Sequence, residues 1–125
     1  MVNDILLYTG SALITLWGIA HIMPTKSVVA GFGPISQDNK RIITMEWLAE
    51  GLTMCFLGLL VFLATIWGGS QNQVSILVYR ASAAMLIVMA GLTLFTGART
   101  SILPIKLCPL VKTVAAVLLI LGSAL

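Results

Sequence analysis

"IITMEWLAEGLTMCFLGLLVFLATIW", residues 42–67, decides how the rest of the chain is read. It is an apolar run that would cross about 30 Å of hydrocarbon as a helix at 1.5 Å per residue. It nevertheless carries two carboxylates, Glu46 and Glu50, four residues apart. That spacing places them one turn apart on one helical face. Nothing in the run alternates with period two, so a membrane strand is excluded.

Three further stretches have the same character. Helices are expected at about 4–23, 41–67, 74–96 and 102–125, with Pro24, "GGSQNQ" and Gly97 as the breaks and Pro109 interrupting the last. The first has Asn3 and Asp4 where a signal peptide carries basic residues, and reads as a retained helix. The composition agrees: 59% of the 125 residues are hydrophobic and 9% charged, with mean hydropathy +1.08. A soluble domain carries about a quarter charged residues. The fold class expected is all-α, a four-helix transmembrane bundle forming one domain over 1–125. The chain reads as an integral protein of a prokaryotic inner (plasma) membrane.

Four spans place both termini on one side with the 69–73 turn, and no Lys or Arg lies in those segments. Lys26, Lys40, Arg41, Arg99 and Lys106 all fall at the other end. The positive-inside rule therefore expects the 24–40 loop in the cytoplasm and both termini extracytoplasmic. The net charge of +3 is absorbed by this topology signal, and no basic surface suited to nucleic acid is present.

Ionisable groups inside the spans carry the functional reading. Counted along each helix at 1.5 Å per residue, Glu46, Glu50, His21 and Lys112 lie roughly 13, 7, 10 and 5 Å to the cytoplasmic side of their midpoints. Arg80 lies roughly 8 Å toward the outer face. A charge at the bilayer centre costs about 2.5–3.5 kcal/mol on insertion scales, so such groups face the bundle interior and pair. By height, Lys112 should meet Glu50 and His21 should meet Glu46, with hydroxyls from Thr44, Thr53 and Thr113 nearby. His21, Glu46 and Glu50 are then the candidate acid/base set. Trp17, Trp47, Lys112 and Arg80 are the candidate ligand contacts around a cavity that opens toward the cytoplasm.

Each of these residues also has a structural reading. Glu46 can rest near the headgroups at the positive end of its helix, Glu50 and Lys112 can form a purely structural bridge, and Arg80 can snorkel. The tryptophans can be interface anchors. The 24–40 loop mixes apolar residues with Gly31, Gly33 and Pro34, and reads either as a lid over the bundle mouth or as a connector; Ser36 or Asp38 is the expected cap of the second helix. Small residues at Gly10, Gly18, Gly51, Cys55, Gly58, Ala83, Ala84 and Gly91 suit close helix packing. Cys55 and Cys108 form no CxxC, and a single His excludes the usual metal sets, so no metal is expected.

The four short spans, "GIAHIMP" (18–24) ending the first helix and "MEWLAEG" (45–51) opening the second together resemble the DoxX-like group of small four-helix membrane proteins. Some members of that group are linked with quinone-dependent sulfur oxidation as partners of other subunits. The resemblance thus implies a quinone as cofactor or substrate and a larger membrane complex or homo-oligomer as context. The His-plus-Glu set is also similar in kind to that of emopamil-binding-type sterol isomerases, a five-helix family that needs a longer chain. Two functions follow: acid/base chemistry on, or binding of, a lipid-phase quinone or isoprenoid, and an accessory subunit whose buried charges fix helix register.

Overall fold

The computed structural model describes all 125 residues, and every regular element is helical. α1 spans Val2–Ile22, the short α2 Thr25–Ala30, and α3 Gln37–Leu63, which runs on through a π-helical turn at Ala64–Gly68. α4 spans Gln73–Phe95, a 3-10 turn covers Gly97–Arg99, and α5 spans Leu103–Ala124. α1, α3 with its π turn, α4 with its 3-10 turn, and α5 are each long and apolar enough to cross a membrane.

The burial pattern is what a lipid solvent demands. Leu16, Phe56, Leu77 and Val88 are each at least 60% exposed. The lysine ammonium of Lys112, by contrast, is fully buried. A soluble protein of this size would cover those side chains and expose that charge. Backbone groups leave no open edges, because each span satisfies its own N–H and C=O groups as a helix must in hydrocarbon.

α1 is the central strut. It packs along α3 on one side and α5 on the other, and α5 packs along α4, whereas α3 and α4 touch only slightly. The α1–α3 crossing is close because glycine permits it. A Cβ on Gly18 would lie 2.7 Å from Cys55 Sγ and 2.8 Å from the Gly51 carbonyl. A Cβ on Gly58 would lie 2.7 Å from the Ser11 carbonyl. Gly91, expected to pack likewise, has nothing within 4 Å of where its Cβ would be, so it faces open surface. At the far end Gly122 packs on Leu7 and the Asn3 carbonyl, which brings the two termini to the same end of the bundle. The core between the helices comprises Leu7, Ile14, Met54, Val61, Tyr79 and Leu86 with their neighbours.

Three boundaries differ from the expected ones. α3 begins at Gln37 rather than near residue 41, because the Ser36 side chain accepts a hydrogen bond from Asn39 N and starts the helix there. The 24–40 segment is not one loop, since Thr25–Ala30 is helical and packs on α3. Pro109 does not break α5; it is buried inside a continuous helix from Leu103.

The early start of α3 changes the depth scale. Ile22, the last residue of α1, packs directly over Gly51. α1 is 21 residues long, about 31 Å, enough to cross an ordinary hydrocarbon layer. Residues 37–50 of α3 therefore extend about 20 Å beyond the end of α1. Glu50 lies level with that end.

Candidate functional site

Four helices contribute to one polar cluster at the end of the bundle where α1 and α4 stop. α5 presents Cys108, Lys112, Ala115, Ala116 and Leu119 inward, at helical spacings of three and four. Lys112 falls on that stripe and is fully buried. Its four-carbon stem lets the ammonium travel toward α3 and α4, where it forms an ion pair with Glu50 Oε1. The same Nζ donates to Thr93 Oγ1 of α4 at 2.8 Å. Thr93 in turn donates to the Met89 carbonyl at 2.9 Å, so its hydroxyl is free to accept from the lysine.

The second oxygen of Glu50 faces His21. His21 Nε2 lies 3.7 Å from Glu50 Oε2, within ion-pair range and beyond hydrogen-bond reach. That nitrogen is buried and has no hydrogen-bond partner. The imidazole is fixed from the other side by Trp47, whose ring stacks on it with centroids 3.9 Å apart and planes 16° from parallel. The Trp47 indole N–H also donates to the His21 carbonyl at 2.8 Å, which ties the end of α1 to α3. Exposure is uneven within the cluster: the side chains of Lys112, His21 and Glu50 are 0%, 9% and 33% exposed. Glu50 is thus the open member of a Lys–Glu–His array.

The expected Glu50–Lys112 contact is present, but His21 faces Glu50 and not Glu46. Glu46 is exposed. Its position explains this: Glu46 lies on the part of α3 that projects past Ile22, where α1 no longer provides a surface to face. Trp47, one residue on, turns back to the end of α1 and takes the contact with His21. Arg80 is also exposed, on a different part of α4, and does not join the cluster.

Trp17 packs against the core, and its indole N–H donates to Cys108 Sγ at 3.3 Å rather than to any carboxylate. Thr44, Thr53 and Thr113 donate to the carbonyls four residues back, at 2.7 or 2.8 Å, and do not reach the charges. Thr93 is the member that sequence reasoning misses. Its signal is the inward stripe Ser75, Tyr79, Ser82, Leu86, Met89 and Thr93, which leads to the same end of the bundle.

Two clefts mark the surface. One, of about 470 Å³, lies between α2 and the projecting part of α3. The other, of about 430 Å³, is an apolar groove beside Tyr8, Leu16, Leu59 and Phe62. Neither is lined by His21, Glu50 or Lys112. No group of three or more His, Cys, Asp or Glu side chains is arranged to hold a metal.

Chemically, the array can hold a proton, or an anionic oxygen, between a carboxylate and an imidazole while a fixed ammonium neutralises the carboxylate. No family model, curated protein or solved structure matches the chain.

Proposed function

We propose that this is an integral membrane protein whose His21–Glu50–Lys112 array binds a lipid-phase molecule of the quinone or isoprenoid class and exchanges a proton with it. Glu50 is the exchanging carboxylate, His21 its acid/base partner, and Lys112 the fixed counter-charge. Trp47 holds the imidazole flat. The observation that carries this reading is the unequal burial of one ion array. The lysine is sealed while a third of the Glu50 side chain is open, so the carboxylate alone can be reached from outside the bundle.

The unpaired His21 Nε2 is a second support, since a buried ring nitrogen without a partner is suited to bond a ligand hydroxyl or carbonyl oxygen. Lys112 joins Glu50 of α3 to Thr93 of α4, two helices in only slight contact, and that loosely packed side is the route by which a molecule dissolved in the bilayer would arrive. By the positive-inside rule the site opens near the cytoplasmic edge of the membrane, with both termini outside.

The test is a titration of purified protein with a short-chain quinone analogue, read by quenching of tryptophan fluorescence. Saturable quenching is expected, lost in Glu50→Gln and weakened in His21→Phe. Linear, non-saturating quenching that is the same in both variants would reject the site.

One observation favours a second reading, the accessory subunit. The two clefts described avoid the array, and Lys112 is already satisfied by Glu50 and Thr93. In that reading the ions set helix register, and the apolar faces dock on other subunits.

A further inference from the structure

The cleft between α2 and the projecting turns of α3 lies outside the ion array and has a different chemistry. Its walls include Lys26 and Lys40, the hydroxyls of Thr25 and Thr44, and the apolar side chains of Val29 and Ala30. Neither lysine has an acidic partner. Asp38 pairs with Arg41, Asp4 with the N-terminus and Glu50 with Lys112, and the remaining carboxylate, Glu46, lies within ion-pair distance of neither lysine. Two lysines without a carboxylate partner therefore line one cleft of about 470 Å³.

We propose that this cleft binds the phosphate of an anionic phospholipid headgroup. Its position suits that ligand. Thr25 follows three residues after Ile22, where α1 reaches the edge of the hydrocarbon, so the cleft lies at headgroup level. Its charge does too, because juxtamembrane lysines attract anionic lipid at about fivefold in affinity each, or about 30-fold for two. The donor set suits it as well. The Thr25 and Thr44 hydroxyls already donate to the Ile22 and Lys40 carbonyls, so the lysines are the donors available. Each ammonium carries three N–H donors, enough to reach the two free oxygens of a phosphodiester. Val29 and Ala30 then offer an apolar wall to the glycerol and upper acyl carbons.

Native mass spectrometry of the full chain, released from micelles containing equal phosphatidylglycerol and phosphatidylcholine, tests this. Wild-type protein should retain phosphatidylglycerol by about 30-fold over phosphatidylcholine. Lys26→Gln/Lys40→Gln should lose that preference; both side chains are exposed, so the fold is expected to survive, as circular dichroism would verify. Lys106→Gln, an exposed lysine on α5, should leave it unchanged. Three results would each overturn the proposal. They are no preference in the wild type, a preference that survives the double change or falls equally with Lys106→Gln, and displacement of the lipid by millimolar inorganic phosphate, which would make the cleft a free-anion site.

Discussion

Removing Glu50 and Lys112 together should harm the protein much less than the two single removals added. In Glu50→Gln the Lys112 ammonium stays fully buried and loses its counter-charge, keeping only Thr93 and the new amide oxygen as acceptors. Stranding a buried charge costs about 3–5 kcal/mol, and the remaining acceptors put this case at about 3. In Lys112→Met the stranded carboxylate is one-third open, so water can reach it, and His21 remains beside it. Its loss should be smaller, about 1.5 kcal/mol. In the double variant Met fills the lysine stem's volume, and the amide introduced at position 50 keeps access to water. A net change of about 1.5 kcal/mol is expected, which leaves a coupling of about 3 kcal/mol. Reversible unfolding in mixed micelles at increasing SDS fraction, followed by circular dichroism, measures all four proteins. Glu46→Gln, on an exposed carboxylate with no ion partner, serves as the neutral control. Effects of the two single changes that add to within about 0.5 kcal/mol would refute the pairing and the burial argument with it.

Further outcomes follow from the same geometry. Gly18→Ala should destabilise by about 1–3 kcal/mol, because its Cβ would press on Cys55 Sγ and the Gly51 carbonyl at 2.7 and 2.8 Å. Gly91→Ala, with open space around it, should be neutral or stabilise by up to about 1 kcal/mol; SDS unfolding of the pair reads the contrast. Trp47→Phe keeps an aromatic face on His21 but removes the hydrogen bond to its carbonyl, so a loss of about 1 kcal/mol is expected in the same assay, and Trp47→Ala should lose more. For the orientation, a cysteine placed at Gln37 in a background with Cys55 and Cys108 replaced should resist a membrane-impermeant maleimide added to intact cells. Efficient labelling there would reverse the expected sidedness.

How much of the molecule is legible in the sequence depends on which distances a sequence can encode. The four apolar helices follow from run length and composition, and the Ser36 cap from residue type. Lys112 and Glu50 can be matched because a buried charge needs its opposite, and few candidates exist. Register between helices is what the sequence does not carry. Heights are counted from each helix's own midpoint, and the midpoint of α3 shifts when the helix starts at Gln37. The α1–α3 crossing at Gly18 and Gly51 sets the true register, and it gives His21 to Glu50 and leaves Glu46 beyond the end of α1. Thr93 escapes notice because a threonine in a helix ordinarily bonds its own backbone, as Thr44, Thr53 and Thr113 do. Thr93 does so too, and accepts from Lys112 in addition. The helical α2 is hidden because Thr25–Ala30 is short and bounded by Pro24 and Gly31.

Proton exchange between Glu50 and a molecule arriving from the bilayer can be probed with dicyclohexylcarbodiimide. This apolar reagent adds to a carboxyl that can take up a proton and is reachable from the lipid phase. Native membranes are treated, and the modified residue is located by peptide mass spectrometry. A stable adduct is expected on Glu50 and none on Asp38, and the adduct should decrease when a short-chain quinone or isoprenoid alcohol is added first. An unmodified Glu50, or a Glu50 adduct that neither competitor diminishes, would contradict the proposed exchange.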